Sequence, residues 1–226
     1  MAHTPLGAPR PSAVAVLDEA VRVLAPKDGA NPLVQRIGAG VAPRSVFATL
    51  ALEQHQVIAS DRLSFQHLAR RADGDPPVAD FFDLLVEGET LALARLAALA
   101  DACGLTDREI AEYRPRPGCQ AFPSYTARLA LAAEPADAVI ALTANFAAWS
   151  GYCAVVRTAL REHYGFPEAA GGFFALFAEP APELAAGARA AVQQGLDTGQ
   201  ARPEVAHRYG RLLQAYEAMF WNSLAE

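Results

Sequence analysis

The sequence predicts an all-α protein that folds as one domain. Apolar residues recur at intervals of three and four, which is the period of a helix with one buried face. Roughly a fifth of the residues are alanine, a strong helix former, whereas the β-branched residues valine, isoleucine and threonine are sparse. No segment shows the alternation of apolar and polar residues that is typical of a strand. With 226 residues, of which 52% are hydrophobic and 19% charged, the chain is long enough to bury one core without disulfides or metals.

The first three helices follow from their caps and apolar stripes. Ser12 opens a helix over 12–24. Asn31, with a proline after it, is typical of an N-cap for a short helix over 33–37. A long helix is predicted over 43–72. Its inward stripe consists of Phe47, Leu50, Gln54, Val57, Asp61 and Phe65.

The remaining helices are bounded by glycine, proline and capping residues. Gly104 ends a second long helix over 78–103, and Thr106 with Glu109 forms a capping box for a brief helix before Pro115. The later helices cover residues 122–133, 135–164, 167–178, 181–196 and 203–224. We expect eight or nine helices joined by short loops, without a linker or a repeat, so that neighbouring helices pack antiparallel in a bundle.

The charged and sulfur-containing residues argue against several classes of function. The net charge is -6, the pI is about 5.4 and no basic run occurs, so nucleic acid is not an expected partner. The only lysine, Lys27, lies in a predicted turn, which disfavours Schiff-base chemistry and lysine-dependent phosphate loops. Cys103, Cys119 and Cys153 lack the spacing of a zinc site or a disulfide framework, and therefore favour a reducing cytoplasm.

No segment is expected to enter a membrane. Residues 1–11 lack the apolar stretch of a secretory signal and are predicted to be a flexible N-terminus ahead of a single domain over 12–226. Charged residues interrupt the alanine- and leucine-rich stretches, so no apolar run approaches the roughly 20 residues of a membrane-spanning helix.

Glu217 is the first candidate for chemistry, because it interrupts the apolar stripe of the last helix. It lies one turn after Leu213 and one turn before Phe220 and Trp221. A carboxyl group on an inward face is expected to have a raised pKa, which suits a general acid or base, or an anchor for a ligand. The alternative is a structural ion pair with an arginine of a neighbouring helix.

The helix over 135–164 carries a second candidate face. Asn145, Trp149 and Tyr152 are spaced i, i+4 and i+7, which suits a flat aromatic ligand. The alternative is an aromatic stripe that belongs only to the core. On the helix over 43–72, the run of three polar residues 53–55 is typical of a solvent face, so only Gln54 is expected to face a pocket.

Two other spacings are weak. Glu204 and His207 have the Glu-x-x-His spacing of di-iron bundles, but no second copy occurs, and a solvated helix start is the better interpretation. Cys153 and His163 lie roughly 15 Å apart along a helix, so they are not expected to form a nucleophile pair. We therefore predict neither a metal site nor a cofactor.

Short motifs lie in order along residues 31–224. The Glu-x-x-Phe-Trp pattern at Tyr216–Trp221 resembles the ending of the TenA/thiaminase II family, which shares the haem-oxygenase-like helical fold with the PqqC proteins. The other similar segments are Asn31-Pro32-Leu33, Gly40 with Pro43 and Phe47, Phe122–Thr126, Leu142–Cys153 and Phe173–Phe177. The resemblance implies a haem-oxygenase-like bundle of about eight helices and, as in relatives, a homodimer or homotetramer.

The family's reactive positions differ in this chain. Gln54 takes the place of the aspartate that contacts the aminopyrimidine, and Asn145 takes the place of the nucleophilic cysteine. Three tyrosines of the pattern become Val57, Trp149 and Phe177. Because an amide cannot act as a thiolate nucleophile, the covalent hydrolysis of thiamine that the resemblance implies is not expected.

The resemblance implies that this chain keeps the family's pocket, but with a different polarity. Tyr125 and Glu217 are kept, and Glu217 is the implied catalytic acid or base. The alternative that Cys153 acts as a displaced nucleophile stays open. The predicted ligand-binding residues are Gln54, Tyr125, Asn145, Trp149, Phe177 and Tyr152. Loss of the family's aspartate makes the pocket less suited to a cation and favours a neutral polar aromatic molecule.

The sequence therefore predicts a protein that binds a small aromatic or heterocyclic molecule in the bundle core. We expect an enzyme of cofactor salvage or specialised metabolism that is not a standard thiaminase. The first alternative is a non-catalytic ligand-binding or regulatory relative. The second is an oxygenase of the haem-oxygenase-like fold, either metal-dependent or free of cofactors.

Overall fold

The computed structural model describes residues 11–27 and 29–225, and this part of the chain is helical with no strand. A 3-10 turn at Glu168–Gly171 precedes the eighth helix. The described residues form ten α-helices: α1 (Ala13–Leu24), α2 (Pro32–Gly38), α3 (Ser45–Arg71), α4 (Pro76–Ala102), α5 (Asp107–Glu112), α6 (Pro117–Ala132), α7 (Pro135–Glu162), α8 (Gly172–Ala178), α9 (Pro182–Thr198) and α10 (Pro203–Leu224). The all-α prediction is confirmed. The expected flexible N-terminus lies, except for its last residue, outside the described residues.

Local signals at the helix starts act as predicted. The Ser12 hydroxyl accepts a hydrogen bond from the backbone of residue 15, and the Asn31 side chain accepts one from the backbone of residue 34. Thr106 and Glu109 form the reciprocal capping box of α5. The start of α6 was predicted at residue 122, which is too late, because a proline at its first position begins the helix at residue 117.

Two buried apolar clusters fill the bundle, one toward each end. The first joins α1 and α9 to the C-terminal part of α3 and the N-terminal parts of α4 and α7. The second joins α2 and α8 to the N-terminal part of α3 and the C-terminal parts of α4, α7 and α10. The long helices thus contribute their two ends to different clusters, and the middle of each helix lies between them.

Helix α7 is the longest helix of the described residues and is rich in apolar residues. It has 28 residues, and its most apolar 18-residue window has a mean hydropathy of 1.5, so length and composition alone would allow it to cross a membrane. This differs from the expectation that no apolar run is long enough. In the structure α7 packs against α1, α2, α8, α9 and α10, as the central helix of a globular bundle does.

Glu53 corrects the prediction that residues 53–55 mark a solvent face. Its side chain is fully buried. Its Oε1 accepts hydrogen bonds from the Tyr113 hydroxyl at 2.6 Å and from the Arg116 backbone N–H at 2.7 Å, and its Oε2 accepts one from Gln120 at 3.0 Å. Glu53 therefore ties the segment between α5 and α6 to α3.

Replacing Glu53 by alanine should lower the free energy of unfolding by about 3 kcal/mol, because three donors lose a shared acceptor in a buried place. Urea denaturation measures the change. Glu87→Ala, at an exposed position of α4, is the matched control and should change stability by no more than about 0.5 kcal/mol. Equal effects of the two substitutions would contradict the structural role of Glu53.

Candidate ligand-binding cavity

A cavity of about 70 Å³ lies at mid-length in the bundle, between the two apolar clusters. This is several times the space that one water molecule needs. Helices α3, α4, α6, α7, α8 and α10 all contribute to its wall. The lining residues are Gln54, Val57, Ile58, Asp61, Glu89, Phe122, Asn145, Phe146, Trp149, Phe177, Glu217 and Phe220.

Glu217 lies in this wall, as its place on the apolar stripe predicts. It is 5% exposed, and its Oε2 accepts a 2.6 Å hydrogen bond from the Asn145 amide. Burial raises the pKa of Glu217 to about 8, and the Asn145 bond and the indole of Trp221 oppose that rise only in part. Among the described residues, Oε1 has no hydrogen-bond partner. A neutral Glu217 can therefore accept from Asn145 at one oxygen and present its proton at the other.

Two further carboxyl groups, Asp61 and Glu89, line the same cavity. Burial raises the pKa of Asp61 to about 8, and a hydrogen bond with Thr126 opposes the rise. Burial and the charge of nearby Asp61 together raise the pKa of Glu89 well above its usual range. The cavity thus holds three carboxyl groups whose neutral forms are favoured at neutral pH.

Neither Asp61 nor Glu89 was predicted from the sequence to line a pocket. Asp61 lies on the predicted stripe of α3, two turns beyond Gln54, but the prediction gave a pocket position to Gln54 alone. Glu89 occupies an apolar stripe of α4, seven residues after Phe82 and seven before Leu96, both of which are fully buried. A carboxyl group at a stripe position was the available signal at each site.

Aromatic rings form much of the remaining wall. The Trp149 ring centroid lies 5.9 Å from that of Phe177 and 6.4 Å from that of Phe220, in edge-to-face arrangements. Phe122 and Phe146 line the cavity from α6 and α7. These rings offer apolar area and ring faces to a flat ligand.

A groove of about 690 Å³ adjoins the cavity between α4, α7, α8 and α9. The two spaces share four lining residues, which are Glu89, Phe146, Trp149 and Phe177. These four side chains border both spaces and form the partition between the cavity and the groove.

Five of the seven predicted site residues lie together in the cavity wall. They are Gln54, Asn145, Trp149, Phe177 and Glu217. Tyr125 is buried outside this lining, with its ring centroid 5.2 Å from that of Tyr216. Tyr152 packs on Trp221 and lines a separate space that also reaches Glu217 and Asn31. That any of the seven contacts a ligand stays a prediction.

Cys153 lies outside the cavity wall and does not fit the role of a displaced nucleophile. The residue is fully buried, and burial together with the nearby charge of Glu217 raises the pKa of its thiol well above the usual value. A thiol held in its neutral form attacks poorly. The Glu-x-x-His spacing of α10 also gains no support, since no group of three or more histidine, cysteine, aspartate or glutamate side chains in the described ranges is arranged to hold a metal.

Comparison with known proteins assigns the family. The model of the TENA/THI-4/PQQC family matches residues 30–226. The chain belongs to the TENA/THI-4/PQQC family. The matched range includes every motif on which the resemblance rests, from Asn31 to the Tyr216–Trp221 segment. The comparison with curated proteins gave no match.

Solved structures show the same fold for this TENA/THI-4/PQQC family member. A TenA homologue protein from P. horikoshii OT3 superposes with a TM-score of 0.72 at 14% identity, covering 95% of this chain and 98% of that chain. A TenA family transcription regulator from Silicibacter sp. TM1040 superposes with a TM-score of 0.66 at 13% identity, covering 97% of this chain and 99% of that chain. At these identities the likeness establishes the architecture.

Proposed function

We propose that this family member binds a small aromatic or heterocyclic molecule in the cavity at mid-bundle. The observation that carries the proposal is the unpartnered Oε1 of Glu217 within a wall of aromatic rings. Small-molecule sites typically combine an apolar enclosure with a few polar groups that fix orientation. Glu217, Asn145 and Gln54 supply such groups here.

The chemistry that we propose is proton transfer rather than covalent attack. Asn145 stands where the resemblance places the family's nucleophilic cysteine, and it donates its amide hydrogen bond to Glu217 instead. With a pKa of about 8, Glu217 can exchange a proton with a ligand near neutral pH. An enzyme of cofactor salvage or specialised metabolism, distinct from a thiaminase, is the activity class that we propose.

A non-catalytic ligand-binding or regulatory protein is the second candidate. The observation that favours it is the 2.6 Å bond of Asn145 to Glu217, which fixes the carboxyl group as a recognition element. The Silicibacter neighbour is named as a transcription regulator. The acidic net charge of this chain and its lack of a basic run do not suit direct contact with DNA.

Ligand-induced thermal stabilisation across a panel of aromatic heterocycles tests the proposal. We expect at least one compound to raise the melting temperature of the wild type, and Glu217→Gln to reduce its affinity about tenfold, because an amide can neither ionise nor give a proton to the ligand. Glu204→Gln, at an exposed position of the same helix, should leave the shift unchanged.

The proposal fails if no compound stabilises the wild type. It fails equally if the shifts persist in a double variant with Glu217→Ala and Asn145→Ala. Turnover of a bound compound, followed by chromatography, then separates the enzyme from the non-catalytic protein.

We also propose a cytoplasmic location and a homodimer or homotetramer. Cys103 and Cys153 are free thiols, and Cys153 is buried, which suits a reducing compartment. Light scattering of the purified protein measures the oligomeric state.

A further inference from the structure

The cavity contains more acidic groups than the chain neutralises. Asp61, Glu89 and Glu217 all line it. The ion pairs found among the described residues involve Glu19, Glu162, Glu179 and Asp137, and none includes these three. A buried carboxyl group without a counter-charge is destabilising, so proteins rarely keep one without a compensating partner.

Asp61 is the least exposed of the three. It is 4% exposed, on the stripe of α3 that faces the cavity. Its Oδ1 is buried, and no described residue provides a hydrogen-bond partner for it. The structure therefore holds an oxygen acceptor in the cavity wall that the folded chain itself does not use.

Glu89 stands opposite on α4, which packs along α3. It is close enough for the charge of Asp61 to raise its pKa. Glu89 also lies in the partition toward the groove, where it is partly exposed. Two carboxyl groups on facing helices, one deep and one at the partition, can flank a single positive group between them.

We infer that Asp61 and Glu89 form a subsite for a protonated nitrogen of the ligand, an ammonium or amidinium group carried on an aromatic or other apolar body. This inference rests on the proposed function, because it assigns a substrate class to the same cavity. A cation held there lowers the pKa of both groups, forms charge-assisted hydrogen bonds with the resulting carboxylates and offsets the repulsion between them. The neighbouring ring of Trp149 adds a favourable face for positive charge.

The subsite changes the expected polarity of the ligand. Replacement of the family's aspartate by Gln54 predicted a cavity suited to neutral molecules. Asp61 lies seven residues further along α3, about 10 Å from Gln54 at the backbone, and restores acidic charge two turns away. The ligand that fits this wall is cationic toward Asp61 and Glu89, and polar but uncharged toward Gln54.

Three probes of nearly equal shape test the subsite by isothermal titration calorimetry at neutral pH. Benzamidine is a cation, benzamide is its neutral counterpart and benzoate is an anion. We expect the wild type to bind benzamidine at least about tenfold more tightly than benzamide, and not to bind benzoate. Asp61→Asn and Glu89→Gln should each remove most of that preference and leave the affinity for benzamide unchanged.

Glu87→Gln is the matched control, because it removes an exposed carboxyl group on α4, two residues before Glu89. It should keep the full preference for benzamidine and so exclude a general effect of net charge. Asp61→Asn and Glu89→Gln both replace an acid that lines the cavity by an amide of similar shape. If one of them does not fold, the other carries the test.

Each remaining result overturns the inference in a distinct way. Equal binding of benzamide and benzamidine, or a preference that survives both substitutions, disproves the cation subsite and leaves the proposed function intact. Failure of benzamidine to bind at millimolar concentration disproves it whatever the wider heterocycle panel shows. Stabilisation by Mg²⁺ or Mn²⁺ alone, without binding of benzamidine, would assign the pair to a metal instead.

Discussion

The free energy of unfolding should fall as the pH rises from about 5 to 8. In the folded protein Asp61 and Glu217 have pKa values of about 8, whereas unfolded carboxyl groups titrate near 4. Between these values the unfolded chain has released protons that the folded chain retains, so a higher pH favours unfolding. Each group contributes at most about 1.4 kcal/mol per pH unit, and the raised pKa of Glu89 acts in the same direction.

Urea denaturation at a series of pH values measures this slope. Asp61→Asn and Glu217→Gln should each flatten the profile and raise the stability at pH 8, because each removes a buried acid that must ionise. Glu204→Gln should leave the slope as it is, since that side chain is exposed. A stability that stays level or increases across this range would contradict the burial of the two carboxyl groups.

Substitution of Trp221 by alanine should lower the free energy of unfolding by about 3–5 kcal/mol. Trp221 is 1% exposed, and its ring centroid lies 5.6 Å from that of Trp149, 5.8 Å from that of Tyr152 and 5.7 Å from that of Phe220. Removing the indole leaves a void among these rings and withdraws the support of the helix turn that carries Glu217. Urea denaturation at one pH measures the loss.

Trp149→Ala provides the comparison for Trp221→Ala. Trp149 is only partly buried and already borders open space on two sides, so its loss should lower stability by less than half as much. Trp221→Phe should recover much of the stability that Trp221→Ala loses. Similar losses for the two alanine variants would show that Trp221 is not the central ring of this cluster.

The features that could be predicted from sequence are those with local causes. Caps such as Ser12, Asn31 and Thr106 act on their own first turn, so they mark helix starts before any packing is known. Glu217 could be found because a carboxyl group between buried Leu213 and Phe220 has no solvent-facing position on that helix. The family motifs then predicted the haem-oxygenase-like arrangement of the helices.

The features that could not be predicted depend on which helices meet. Glu53 is buried only because the segment after α5 supplies three donors, and α3 alone does not reveal them. Asn145 and Tyr152 share a face of α7, but that face meets the cavity at Asn145 and a separate space at Tyr152. Asp61 and Glu89 lie near each other only because α3 and α4 pack side by side, and no sequence motif predicts that contact.

The aromatic residues of the partition also bear on how a ligand would enter from the groove. A molecule that comes from the groove meets Phe146, Trp149 and Phe177, whose side chains line both the groove and the cavity. Phe177 is partly exposed and lies near the end of the seven-residue helix α8. Along this route, association and dissociation would both be limited by how often these rings move aside, and not by the rate of collision.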